Sequence, residues 1–202
     1  MFGVPALIAA GCATYPDSAT TRQLAEKMVS ESFTAPTPDL LKRLVQDRSQ
    51  LICSKIGDAP LTSEEAAEVI RLARASIQYP QSGKLMGDWK IGDNLAHDGA
   101  GDRIQGGKLE QRKDNGGLCQ NCHGLAPDEI NVGNVGPSLS GYGARGSSEA
   151  MQKYTYEKIY NAWAYFPCSK MPRLGATRHL TPEQITHMVA YLIDPQSPVN
   201  KK

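Results

Sequence analysis

Cys119-Gln120-Asn121-Cys122-His123 constrains this chain more than any other stretch. Two cysteines three positions apart, with a histidine directly after the second, form the attachment pattern of a c-type haem. The spacing has a chemical reason. Residues i and i+3 share one face of a helical turn, so both thiols reach the two vinyl groups of one porphyrin, and thioether bonds then hold the ring. His123 carries an imidazole to the iron as the proximal ligand. The bland alternative is half of a zinc site, which needs two further ligands at short spacing. No second Cys-x-x-Cys and no His-x-x-x-His occurs in the sequence.

A hydrophobic fraction of 40 % in 202 residues is enough for a core, and a net charge of +1 implies no nucleic-acid partner. The balance conceals a polarity. Residues 1–102 carry 10 Lys+Arg against 13 Asp+Glu, a net of −3, and residues 103–202 carry 12 against 8, a net of +4. The basic half holds the haem motif; solvated surface is the plain reading of that excess, and a docking patch is the alternative.

The chain starts Met1-Phe2-Gly3-Val4-Pro5-Ala6-Leu7-Ile8-Ala9-Ala10-Gly11-Cys12, an apolar run too short to span a bilayer. It fits the hydrophobic region of an export signal, although no Lys or Arg precedes it. Ala9-Ala10-Gly11-Cys12 resembles a bacterial lipoprotein cleavage site, with Cys12 as the lipidated first residue of the mature chain. Haem c is attached outside the cytoplasm, which places the chain in the periplasm, with a lipid at Cys12 as a membrane anchor. Of the five cysteines, Cys119 and Cys122 are taken by haem and Cys12 by lipid or signal removal, leaving Cys53 and Cys168. Two thiols in an oxidising compartment pair as a disulfide; the alternative is one buried and one reactive cysteine.

Residues 1–19 read as the export or lipoprotein-type start, 20–83 as a helical extension and 84–202 as the haem domain. In the extension, a short helix is expected over 21–30. Thr37-Pro38-Asp39 starts another, which Leu41, Leu44, Val45, Leu51 and Ile52 continue to Cys53. Thr62-Ser63-Glu64-Glu65 starts the next, with Ala66, Val69, Ile70, Ala73 and Ile77 as its stripe. These two are expected to form a hairpin packed on the haem domain. There, a helix is expected over 91–98, then a Gly- and charge-rich loop over 103–117, and a long loop after His123 with too few apolar side chains to pack on itself. Ser147-Ser148-Glu149 begins a helix bearing Tyr156, Ile159, Tyr160 and Trp163. Thr181-Pro182 with Gln184 begins the last, striped by Ile185, Met188, Val189, Leu192 and Ile193. No strand pattern is evident, so the fold class is all-α.

A haem on His123 leaves one axial position. Met171 is the leading candidate: it lies in a short loop between two helices, and Pro172 stiffens the backbone beside it. A thioether favours ferrous iron and raises the potential. Met188 belongs to a helix stripe, and Met28, Met86 and Met151 have no loop context. His97 and His187 sit on expected helices, and His179 precedes a helix cap.

Cys119-x-x-Cys122-His123, Gly136-Pro137-Ser138-Leu139, Met171-Pro172 and the amphipathic final helix together resemble class I cytochrome c. The resemblance implies that fold, here with an N-terminal helical extension, and one covalently bound haem c. It also implies that the carbonyl of Pro137 orients His123. Residues 84–90, Gly116-Gly117-Leu118-Cys119, residues 134–139, Lys153-Tyr154-Thr155-Tyr156 and Cys168-Ser169-Lys170-Met171-Pro172-Arg173 are similar to the SoxX family, and the extension with Cys53 resembles its longer variety. SoxX is the monohaem subunit of the SoxAX thiosulfate-oxidising cytochrome, whose complex acts as an L-cysteine S-thiosulfotransferase. The resemblance implies a non-catalytic electron-transfer subunit, in a heterodimer with a SoxA-like cytochrome. Its electrons would come from coupling thiosulfate to a cysteine of a SoxYZ-like carrier and go to a downstream cytochrome c. A free-standing electron shuttle is the alternative. A haem peroxidase is the third reading, and firm ligation by Met171 argues against it.

Overall fold

The computed structural model describes residues 17–33, 37–55, 59–105, 108–110, 112 and 115–201. Its first helix, α1 (Ser18–Ser32), starts at the Asp17 cap and is longer than the expected one. The helix expected from Thr37 to Cys53 is two: α2 (Pro38–Leu44) and α3 (Arg48–Cys53). The break falls at Asp47, which forms a capping box with Gln50 and so restarts the helix instead of continuing it. α4 (Ser63–Ala75) begins at Thr62 with its own capping box through Glu65.

α5 (Trp89–His97) starts at the Asp88 cap, slightly earlier than expected. The charged loop after it contains an element that the sequence reading did not anticipate. β1 (Arg103–Gln105) and β2 (Lys108–Glu110) pair antiparallel, with Gln105 opposite Lys108. α6 (Glu149–Tyr160) is capped by Ser148, and Asn161 ends it, so Trp163 lies on a separate 3-10 turn, Ala162–Ala164. α7 (Pro182–Ile193) has the Thr181–Gln184 capping box at its start. The result is an all-α fold with one marginal pair of strands, as the resemblance to class I cytochrome c implies.

The core forms where α5 and α6 pack on α7. Leu95, Tyr156, Ile159, Met188, Val189 and Ile193 are all buried there. The α5–α7 approach is set by Gly92, at which a Cβ would lie 2.0 Å from the carbonyl oxygen of His187. No side chain larger than hydrogen fits that crossing. The imidazole of His187 serves the same junction, its Nδ1 accepting the Asp88 N–H at 2.8 Å.

From α2 onward, the extension is stitched to the haem domain. Asn161 Nδ2 donates to Ser76 Oγ at 3.0 Å, the Tyr156 hydroxyl to the Gln78 carbonyl at 2.6 Å, and Arg74 Nε to the Ala164 carbonyl at 3.3 Å. Arg43 of α2 pairs with Asp102 at 3.0 Å. Cys53, the last residue of α3, is bonded to Cys168 with a Cα–Cα distance of 5.3 Å.

Candidate functional site

The attachment stretch hangs from α5. Gly117 N–H donates to the Leu95 carbonyl at 2.7 Å and Leu118 N–H to the Asp98 carbonyl at 3.1 Å. Leu118 turns the chain through the left-handed region, at φ 44°. Cys119–Asn121 then make one 3-10 turn, closed by Cys122 N–H to Cys119 carbonyl at 3.1 Å. Residues three apart eclipse one another in such a turn, which puts Cys119 and Cys122 on one side of it; His123 N–H also donates to the Cys119 carbonyl, at 2.9 Å. Cys119 packs against the core. Burial, with the neighbouring Cys122 adding to it, pushes its thiol up to about 12, so it is protonated at neutral pH.

The loop after His123 returns to the motif repeatedly. Gly133 N–H donates to the Gln120 carbonyl at 2.7 Å, Gly136 N–H to the Cys122 carbonyl at 2.8 Å, and Leu139 N–H to the Gly124 carbonyl at 2.8 Å. His123 Nδ1 lies 2.7 Å from the carbonyl oxygen of Pro137. A carbonyl only accepts, so Nδ1 carries the proton and Nε2 keeps its lone pair for a metal. No described residue hydrogen-bonds that Nε2. Gly136 lies so close to the imidazole that a Cβ there would sit 2.2 Å from Cε1. Two thiols on one side of a turn, with one imidazole presented by its metal-binding nitrogen, fit a covalently held haem. Ile130 and Val135 on the same loop expose 90 % and 71 % of their surface, consistent with a loop that does not pack on itself.

Met171 borders the hydrophobic core, as do Cys119 and Leu139, and its N–H donates to Ser169 Oγ at 3.2 Å. Met188 is buried inside α7, whereas Met28 is exposed on α1. The three other histidines all have structural partners. His179 Nε2 bonds the Gly116 carbonyl at 2.8 Å, and His187 holds the start of α5. His97 bonds the Asp93 carbonyl through Nδ1 at 2.8 Å and the Glu129 carboxylate through Nε2 at 3.0 Å. Cys12 lies outside the described residues. Glu129, which ties the loop after the motif to the end of α5, left no local signal in the sequence. Asp47 did, through its Gln50 partner.

Burial works against the charged form of His97, but the Asp93 and Glu129 contacts outweigh it and raise its pKa above the ordinary 6.5. The folded protein therefore binds more protons than the unfolded chain between 6.5 and the raised value, and stability falls as pH rises through that window. The ion pair contributes fully below pH 6.5 and is lost above the folded pKa. The stability difference between wild type and Glu129→Gln, measured by urea unfolding, should therefore shrink as pH rises from about 5.5 to 9. A difference independent of pH would remove His97 from this role.

Comparison with known proteins follows the same lines. A family profile described as cytochrome c matches residues 115–194. The chain is also 42 % identical over 156 residues to a protein of Aquifex aeolicus (strain VF5) named an uncharacterized lipoprotein, an alignment covering 77 % of this chain and 73 % of that one. Among the described residues, no helix is long and apolar enough to cross a membrane.

Proposed function

We infer the role of this chain from its cytochrome c domain, matched at residues 115–194, a family whose members bind haem c covalently and transfer electrons. When bound, haem supplies a one-electron iron couple. Cys119 and Cys122 would anchor it, and His123, oriented by the Pro137 carbonyl, would bind its iron. We assign Met171 as the distal ligand and a single haem to the chain. The structural engagements of His97, His179 and His187 support Met171 over a second histidine.

The chain acts as the monohaem subunit of a periplasmic SoxAX-type complex, held at the membrane by a lipid at Cys12. The observation that carries this reading is the helical extension bonded through Cys53 to Cys168 beside the Met171 loop. A mobile shuttle has no need of such an addition, whereas a subunit gains surface for a partner. The relative named a lipoprotein supports the anchor. In this reading a SoxA-like cytochrome performs the sulfur chemistry on the cysteine of a SoxYZ-like carrier. This chain passes the electrons to a downstream cytochrome c. With two protein ligands on the iron, no position is left for substrate.

The test is thiosulfate-dependent reduction of an acceptor cytochrome c by the purified holoprotein, by holoprotein plus a SoxA-like partner, and by both plus carrier. Turnover is expected only with partner and carrier present. Turnover by the chain alone contradicts the subunit reading, and no gain from the partner leaves a free electron shuttle. Lys170 is exposed on the ligand loop and free to steer an acidic partner surface. Arg173 is not, because it is only 13 % exposed and already paired with Asp47.

A further inference from the structure

The loop carrying Met171 is tied to the rest of the molecule on both sides of the methionine, and both ties lead to one short helix. Three residues before Met171, Cys168 is bonded to Cys53 at the end of α3. Two residues after it, Arg173 Nη1 lies 2.8 Å from Oδ2 of Asp47, the cap of the same helix. The Asp47 carboxylate is divided between two tasks. Oδ1 accepts the Gln50 N–H at 2.8 Å and starts α3, and Oδ2 holds Arg173.

Arg173 has a second partner. Its guanidinium stacks over the Trp163 ring, 4.4 Å from the centroid. Trp163 in turn donates from Nε1 to the Ser169 carbonyl at 2.7 Å, and Ser169 Oγ accepts the Met171 N–H at 3.2 Å. A path of direct contacts thus runs from Asp47 through Arg173, Trp163 and Ser169 to the backbone of Met171. A planar guanidinium can pair with a carboxylate and stack on an indole at once, which an ammonium does not reproduce.

We propose that Arg173 is a positioning residue for Met171: clamped between the Asp47 carboxylate and the Trp163 ring, it fixes the loop from which the thioether reaches the haem iron. This rests on the assignment of Met171 as the distal ligand. The helical extension thereby bears on the electron-transfer site itself, since Asp47 belongs to the extension and Trp163 to the haem domain.

The experiment uses full-length holoprotein and cyanide, which enters the ferric iron site when the methionine lets go. Asp47→Asn is the central variant. Asparagine caps helices as well as aspartate does, so α3 is kept while the charge facing Arg173 is lost. Arg173→Lys keeps the charge and loses the fork and the stack. Both are expected to bind cyanide about tenfold faster, equivalent to about 1.4 kcal/mol off the activation barrier. Both should also weaken the red-edge absorption band of methionine-ligated ferric haem and lower the reduction potential. Arg48→Ala is the control: it breaks the pair with Glu68 inside the extension, at 3.0 Å, and should leave all three unchanged. Met171→Ala must abolish the band; if it does not, the ligand assignment fails. If Met171→Ala abolishes it and both Asp47→Asn and Arg173→Lys bind cyanide at the wild-type rate, the proposal alone is overturned. A lower melting temperature in these two variants with unchanged cyanide rate and potential also overturns it, because it shows a structural role only.

Discussion

Gly136→Ala is expected to displace the His123 imidazole and, with His123 as the proposed iron ligand, cut sharply the yield of correctly ligated holoprotein. The added Cβ would stand 2.2 Å from Cε1 of His123, 2.6 Å from Nδ1 and 2.8 Å from Nε2. Neither side can yield cheaply. Gly136 is held by its N–H to the Cys122 carbonyl at 2.8 Å, and Pro137 after it supplies the carbonyl that holds the imidazole. Relief means breaking one of these bonds or rotating the ring. Overpacking of this kind costs about 1–3 kcal/mol, and a lost hydrogen bond about 1 kcal/mol more. The imidazole is the movable part, so the loss should appear at the iron: a spectrum shifted away from six-coordinate low spin and a changed potential. Gly141→Ala is the comparison. That residue also turns the chain, at φ 70°, but has open space where a Cβ would go. Its cost is backbone strain of about 1–2 kcal/mol with no spectral change. Equal spectra for the two variants would show that the contact at Gly136 does not matter.

Removing the Cys53–Cys168 bond should have the largest effect on stability. It closes a separation of 115 residues, for which the chain-entropy description gives about 5 kcal/mol. In a domain of this size that corresponds to about 10–20 °C in Tm. The choice of substitute matters. Cys168 sits at φ 60°, in the left-handed region that glycine enters freely. Cys53→Ser/Cys168→Gly should therefore be about 1 kcal/mol more stable than Cys53→Ser/Cys168→Ser. Because the bond holds one side of the Met171 loop, both variants should also bind cyanide faster than wild type. Non-reducing peptide mapping that finds two free thiols, or a Tm within about 3 °C of wild type, would refute the bridge.

Features governed by a few neighbouring residues were legible without the structure. The haem stretch depends on thiols three apart and a histidine beside them. The last helix depends on Thr181, Pro182 and Gln184, and runs from Pro182 to Ile193 as its capping box and stripe require. The reading erred where a local signal was outvoted by a longer pattern. Apolar spacing from Leu41 to Ile52 suggested one helix, yet Asp47 and Gln50 restart it. It also missed the β1–β2 pair, which is too short to show an alternating pattern.

The sequence by itself carried the haem-attachment motif and the class of fold, because each follows from covalent spacing or from periodicity within a few turns. Only the tertiary structure decided what the remaining polar residues do. Asp47 meets Arg173 across 126 positions, His97 meets Glu129 across 32, and His187 meets Asp88 across 99. An ion pair or a backbone contact between distant positions has no period and no fixed spacing. It exists because helices first pack through their apolar faces and so bring those residues within reach.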